Sequence, residues 1–238
     1  ANNNFPFNFL YEKLIIQNNI IGSCIKFSCK KLIFLGSSCI YPKLWNKPFK
    51  ENDLNLANLE KTNEPYAIAK IAGLKMCEYY RDQYGCNFIS AMPTNLYGPN
   101  DNFDLKTSHV FAALIRKFHE GKTKNLSEIE LWGSGAPKRE FLYVDDLADA
   151  LVFLMKNYNS KSTINIGTGE DISILRLAEI IQNLVKFKGK IKWDTSMPDG
   201  TLRKRLDVSK INNLGWKAKT SLLNGIDLTY SWYKKNYS

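Results

Sequence analysis

At 238 residues, 44% of them apolar, the chain can bury a sizeable core as one large domain or two small ones. Its 33 Lys and Arg against 23 Asp and Glu leave +10, which favours anionic partners without choosing among nucleic acid, acidic lipid and phosphorylated small molecules. Five cysteines without a C-x-x-C pair argue against a disulfide framework or a structural zinc site, and no apolar run approaches the roughly 18 residues that span a bilayer. The expectation is a soluble, cytoplasmic protein with no metal site.

Residues 7 to 29 place Phe7, Leu10, Tyr11, Leu14, Ile15, Ile21, Cys24 and Ile25 at helical spacing. This predicts an amphipathic helix, with Asn18 on its apolar face and Gly22 as a weak point. Leu32–Leu35 is a short apolar run ending at Gly36-Ser37-Ser38, the pattern of a buried parallel strand emptying into a functional loop. The stretch from Tyr41 to Pro65 reads as loop, residues 65 to 84 as a second helix with Pro65 near its start, and Asn87 to Met92 as the next strand. A helix over His109 to Glu120 and a strand through Phe141–Val144 follow. Asp145 and Asp146 suit the start of a helix reaching Met155, Thr163–Ile166 a strand, and residues 173 to 187 a helix. This alternation predicts an α/β fold with a doubly wound parallel sheet.

Tyr66-Ala-Ile-Ala-Lys70 puts a phenol and an ammonium four residues apart on one helix face, where the cation favours the phenolate and tunes it for proton transfer. The spacing alone is weak. With 12 tyrosines in a Lys-rich chain, accidental matches are expected, and Tyr230-Ser-Trp-Tyr-Lys234 reads as one. Tyr66 differs in context, because a strand ending in Gly36-Ser37-Ser38-Cys39 lies upstream and another strand follows its helix.

This combination resembles the extended short-chain dehydrogenase/reductases, which set a Ser, Tyr and Lys beside a nicotinamide. Gly36-Ser-Ser-Cys-Ile-Tyr-Pro42, Asn63-Glu-Pro-Tyr-Ala-Ile-Ala-Lys70, Pro93-Thr-Asn-Leu-Tyr-Gly-Pro99, Trp132-Gly-Ser-Gly135, Arg139-Glu-Phe141, Val144-Asp-Asp146, Asn165-Ile-Gly-Thr-Gly169 and Pro198-Asp-Gly-Thr-Leu-Arg-Lys204 narrow it to a resemblance to the GDP-L-fucose synthase family. That resemblance runs essentially from Ala1 to the C-terminus.

The resemblance implies NADP(H) as cofactor and GDP-4-keto-6-deoxymannose as substrate, epimerised at C3 and C5 and reduced at C4. It makes Ser37 the hydroxyl that orients substrate, Tyr66 the proton donor to the ketone, and Lys70 its pKa-lowering partner and a ribose contact. Cys39 and His109 fall at the epimerisation acid/base pair. The chemistry agrees, since inversion beside a ketone removes a proton from one face and returns one to the other. A thiol and an imidazole, with ordinary pKa values of roughly 8.5 and 6.5, bracket neutrality. Asn95 and His109 are implied cofactor contacts, and Trp132, Arg139 and Lys204 surround the guanosine diphosphate, with Arg203 able to replace Lys204.

Plainer readings stand beside these. Cys39 alone is a small buried residue, Asn95 a turn former, and His119, rotated about 80° from His109 on the same helix, a surface residue. Leu202 stands where the family has Pro, and Phe111-Ala112 where it has Ile-Pro. A related nucleotide-sugar epimerase or dehydratase is disfavoured by Cys39 with His109, because dehydratases use an acidic pair. A fragment that only binds nucleotide sugar stays open, whereas a nucleic-acid binder lacks a basic stripe interleaved with aromatics.

No Gly-rich turn of the dinucleotide-binding kind occurs: Gly133-x-Gly135 and Gly167-x-Gly169 lack the third glycine. The chain also opens on Ala1 rather than Met. The expectation is therefore a partial Rossmann-like sheet lacking its first strands, with an unpaired apolar edge and poor NADPH binding by this chain alone. Residues 1–99 and 141–167 would form the cofactor domain, and 100–140 and 168–238 a smaller substrate lobe. The family pattern implies a homodimer through helices 7–29 and 65–84.

Overall fold

Pro6, whose missing N–H is tolerated in the first turn of a helix, opens α1 (Pro6–Lys26). The computed structural model describes residues 5–43, 47–54, 58–197 and 199–237. After α1 come β1 (Leu32–Leu35), α2 (Glu64–Tyr84), β2 (Phe88–Pro93), β3 (Asn95–Tyr97), α3 (Val110–Thr123), β4 (Glu128–Trp132), β5 (Lys138–Arg139) and β6 (Phe141–Tyr143). Then follow α4 (Val144–Asn157), β7 (Ile164–Ile166), β8 (Ile172–Ser173), α5 (Ile174–Val185), β9 (Lys190–Asp194), β10 (Arg203–Lys204), α6 (Ser209–Asn213) and α7 (Leu222–Tyr237). The chain divides into two units, one of residues 1–94, 147–169 and 205–217, the other of residues 95–146, 170–204 and 218–238.

The first unit is built on three parallel strands in the order β1-β2-β7. β2 is buried along its whole length, as a continuous apolar run between two parallel neighbours requires. β1 pairs with β2 alone among the described residues, matching the expected open edge. A cavity of about 270 Å³ runs along it, lined by Lys13, Gln17 and Ile20 of α1, by β1 itself and by Lys70. α1 lies against α2, where the Gln17 side-chain amide donates to the Ala69 carbonyl at 2.8 Å. Gly73 permits this approach: a Cβ there would lie 2.8 Å from Gln17 Oε1, and also 2.4 Å from the Phe34 ring of β1.

Two expectations change in this unit. The stripe on α1 divides: Ile21 is buried and Leu10, Leu14 and Cys24 are half-buried, but Phe7, Tyr11 and Ile15 are exposed, as is Asn18. The inward line runs instead through Gln17, satisfied by its bond to α2. The stretch from Tyr41 to Pro65 is more than loop, although residues 44–46 and 55–57 lie outside the described set. It holds 3-10 turns at Glu51–Asp53 and Lys61–Asn63, and Phe49 bridges to Leu206. Asn165 ties it down: its Oδ1 accepts from the Tyr41 hydroxyl at 2.6 Å, its Nδ2 donates to the Phe49 and Asp207 carbonyls at 2.9 and 3.1 Å, and its N–H donates to Glu51 at 3.0 Å.

These bonds also move the expected boundary. Residues 205–217 belong to the first unit, because the Asp207 N–H donates to the Phe49 carbonyl and the Phe49 N–H to the Arg205 carbonyl. Residues 141–146 go to the second, because β6 pairs with β3.

The second unit holds three small sheets. β3 runs parallel to β6, β4 parallel to β9, and β5 lies between parallel β10 and antiparallel β8. Phe111, Phe118, Leu177, Ile181, Ile226, Tyr230 and Tyr233 from α3, α5 and α7 form its core. Phe111, one of the two family departures, stacks on Tyr97 with ring centroids 4.0 Å apart. His119 is half-buried rather than a surface residue: its Nδ1 lies 3.2 Å from the Tyr230 hydroxyl, and its ring packs edge-on to Tyr233. α7 therefore gives Tyr230 a packing role, with Lys234 over its ring.

Candidate active site

The carboxyl end of β1 carries the first cluster. Gly36 follows the strand, with the flexible end of the Met92 side chain packed where a Cβ would stand, its sulfur 2.2 Å from that position. The chain then turns into a 3-10 segment over Ser38–Ile40, capped by Ser37, whose Oγ accepts from the Cys39 N–H at 3.2 Å. The same hydroxyl acts on the Tyr66 phenol in the first turns of α2, favouring its ionised form. Ser37, Cys39, Tyr66 and Lys70 are all half-buried.

Burial is the largest influence on Tyr66 and pushes its pKa up, and charge on Cys39 pushes it further, against a smaller lowering by Ser37. The expected lowering by Lys70 is not the balance found here. The Lys70 ammonium donates to the Leu35 carbonyl at 2.7 Å and lies 5.7 Å from the centre of the Tyr66 ring, over its face rather than at its oxygen. Burial and then Lys13 lower the pKa of Lys70. The arrangement keeps Tyr66 protonated, a proton donor with a neighbouring hydroxyl to fix its direction.

The second unit carries the remaining predicted residues. Asn95 donates through Nδ2 to the Glu140 carbonyl at 2.8 Å, fastening β3 beside the chain between β5 and β6. His109 is the exposed N-cap residue of α3 and makes no side-chain cap. Its imidazole acts on half-buried Asp101, whose carboxyl is raised by burial and drawn down by the Asn102 N–H and then by His109.

Arg139 and Lys204 are register partners across β5 and β10. Arg203 does not stand in for Lys204. Side chains alternate along a strand, and Arg203 forms an ion pair with Asp171, its Nη2 3.1 Å from Oδ1. Trp132 is 62% exposed at the end of β4, with the Lys117 ammonium 5.6 Å from its ring centre. Reading by motif missed Asp199. Its carboxylate accepts from the Ser134 N–H and hydroxyl, both at 2.7 Å, and would meet a Cβ on Gly133, which sits at φ 83°. Its advance signals were its place in Pro198-Asp-Gly-Thr-Leu-Arg-Lys204 and in Asp199-Gly200, a turn pair.

A family model described as "NAD dependent epimerase/dehydratase family" matches residues 1–167. This chain belongs to that family. It is 54% identical over 237 residues to a probable GDP-L-fucose synthase 1 of Oryza sativa, a match spanning 99% of this chain and 72% of the relative. With the GDP-L-fucose synthase of Escherichia coli it shares 49% identity over 245 residues, 99% of this chain and 76% of the relative. Among solved structures, a GDP-L-fucose synthetase from Naegleria fowleri bound to NADP superposes with a TM-score of 0.93 at 31% identity, covering 98% of this chain and 75% of that one.

Proposed function

We propose that this chain carries the chemistry of a GDP-L-fucose synthase: inversion of GDP-4-keto-6-deoxy-D-mannose at C3 and C5, then NADPH-dependent reduction at C4. The observation that carries the reading is the half-buried cluster at the carboxyl end of β1, where Ser37 acts on the Tyr66 phenol and Lys70, one turn along α2, donates to the Leu35 carbonyl at 2.7 Å with its ammonium 5.7 Å from the Tyr66 ring centre. Relatives bearing the GDP-L-fucose synthase name at 54% and 49% identity support it.

Protons at C3 and C5 are acidic because the C4 ketone takes up the charge of the resulting enolate. Ser37 and Tyr66 donate hydrogen bonds to O4 as that charge develops. Cys39 and His109 serve as the pair that removes and returns the protons. Burial holds Tyr66 in its acid form, so the phenolic proton donor is in place before reduction begins.

Tyr66 and Lys70 fit the nicotinamide ribose, since both present donors at the carboxyl ends of parallel strands, where α/β sheets bind nucleotides. NADPH, when bound, supplies the hydride to C4. Tyr66 gives its proton to O4 at that step, and Lys70 holds the ribose hydroxyls. Asn95 and His109 add contacts to the cofactor. The first unit thus does the cofactor chemistry, while Trp132, Arg139 and Lys204 of the second hold the guanosine diphosphate.

The active species is a homodimer through α1 and α2. Supporting this, Phe7, Tyr11, Ile15, Ile16 and Ile20 of α1 and Ile68 and Tyr79 of α2 are exposed apolar side chains. Light scattering that finds only monomer at micromolar concentration overturns the dimer. We place the reaction in the cytoplasm: the cysteines form no disulfide among the described residues, and no helix there is long and apolar enough to cross a membrane.

The deciding experiment supplies GDP-4-keto-6-deoxymannose and NADPH in deuterated water. GDP-L-fucose carrying deuterium at C3 and C5 is the expected product. A 4-reduced sugar without deuterium would make the protein a reductase only, and binding without turnover would leave a nucleotide-sugar binder.

A further inference from the structure

The end of α1 closes in a motif that ordinarily uses glycine. The Cys29 N–H donates to the Cys24 carbonyl at 2.7 Å and the Ser28 N–H to the Ile25 carbonyl at 3.0 Å, with Ser28 left-handed at φ 51°. These are the paired bonds of a Schellman cap, whose outermost two residues frequently touch through apolar side chains. Here those two positions are both cysteines, and Cys29 acts on the Cys24 thiol. Standard backbone bond lengths beside the 2.7 Å hydrogen bond hold the two Cα atoms within about 6.6 Å. A disulfide spans roughly 4.4–6.8 Å between Cα atoms, so the backbone already has the required spacing.

The two sulfurs differ in access. Cys29 is exposed and Cys24 half-buried, so a reagent in solution meets Cys29 first. Burial, followed by the hydrogen bond and charge of Cys29, raises the Cys24 thiol, which makes it the poorer first nucleophile. Cys24 also acts on Cys77, but Cys77 is buried in α2 and pushed up to about 12, chiefly by burial. The odd cysteine count, which argues against a disulfide framework, leaves room for one local pair.

We infer that Cys24 and Cys29 form a dithiol–disulfide modification site for low-molecular-weight disulfides of the glutathione class. The Cys29 thiol gives its proton to solvent, and its sulfur attacks one sulfur of glutathione disulfide. The S–S bond breaks, one glutathione leaves as thiolate, and the other stays on Cys29. The Cys24 sulfur, losing its own proton, then attacks the Cys29 sulfur and expels the second glutathione. Two protein thiols become one disulfide, and one glutathione disulfide becomes two thiols. The bridge locks the last turn of α1 to a residue separated from β1 only by Lys30 and Lys31, on the segment that leads to Ser37 and Cys39.

The test exposes the protein to glutathione disulfide, alkylates the remaining thiols and maps them by mass spectrometry. The expected result is loss of two alkylatable thiols, a peptide linking Cys24 to Cys29, and full recovery of both thiols in reduced glutathione. Cys24→Ser should stop at a Cys29–glutathione adduct. Cys29→Ser, a change at an exposed position, should leave Cys24 alkylatable. Retention of both thiols under conditions that modify Cys39 or Cys86, no reaction at any thiol, or a link from Cys24 to Cys77 overturns the inference.

Discussion

Arg139 and Lys204 stand opposite each other in parallel register across β5 and β10. Like charges directly opposite in a sheet repel; Arg139 acts on the Asp199 carboxylate, and a pyrophosphate is an anion that the two cations together could hold. Arg203, one residue earlier on β10, is paired with Asp171 instead. Arg139→Met or Lys204→Met should therefore raise KM for the nucleotide sugar ten- to hundredfold, the equivalent of about 1.5–3 kcal/mol for a hydrogen bond to a charged group, with kcat little changed. Arg203→Met should lower the melting temperature and leave KM within threefold. Steady-state kinetics on the three variants checks this, and equal KM effects at 203 and 204 would reject the assignment of faces.

Under the proposed function, Asp199 stands one step back from the nucleotide. Its two bonds to Ser134 hold the turn after Trp132, and they keep its carboxyl below the usual range, the Ser134 N–H first and its hydroxyl second. Asp199→Ala removes both acceptors and should raise KM several-fold without changing kcat, whereas Asp199→Asn, which keeps one acceptor, should lie between. A drop in kcat at unchanged KM would show that Asp199 serves chemistry rather than the shape of the nucleotide site.

Tyr66 and Cys39 should separate the two half-reactions. Tyr66→Phe removes the proton donor and should slow C4 reduction by roughly 10²–10⁴, while deuterium still enters C3 and C5. Cys39→Ser should do the reverse. Burial and charge on Cys39 raise the Tyr66 pKa, so its acid form survives beyond the ordinary tyrosine value of roughly 10. Reduction should show no alkaline limb assignable to this phenol below that value. Matched loss of deuterium exchange and reduction in both variants would contradict the division of labour.

The sequence made some of this legible and hid the rest for physical reasons. β1, α2 and β2 could be read closely because Leu32–Leu35 is an apolar run, Pro65 lies in the first turn of α2 and Gly85 ends it at φ 66°. β5, β8 and β10 are two residues long and exist through partners far along the chain, as Arg139 does through Lys204, so no periodicity announces them. α1 misled because it has two apolar faces and its buried line passes through a polar residue, Gln17. In α7, Ile226, Tyr230 and Tyr233 recur at helical spacing and face the core, so the spacing of Tyr230 and Lys234 belongs to a packing helix. Tyr66 was legible because strand, spacing and helix coincide. Asp199 was not, because its partner Ser134 is 65 residues away.

The His119–Tyr230 contact should make α7 sensitive to acid. Burial is the main influence lowering the His119 pKa, with Lys122 adding to it, Glu120 opposing and Lys234 lowering it further. The unfolded chain, with histidine near its ordinary value of roughly 6.5, therefore binds the proton before the folded one does. Below that pH protonation favours unfolding, so the contribution is full above about pH 6.5 and is lost as pH falls through the folded value. Protonation also makes Nδ1 a donor only, which leaves the Tyr230 hydroxyl, 3.2 Å away, just the accepting role. The melting temperature should fall from pH 7 to pH 5 in the protein, and less so in His119→Gln, which cannot titrate. The two curves should converge toward acid. Parallel curves would show that the imidazole stays uncharged through this range and that His119 only fills space against Tyr233.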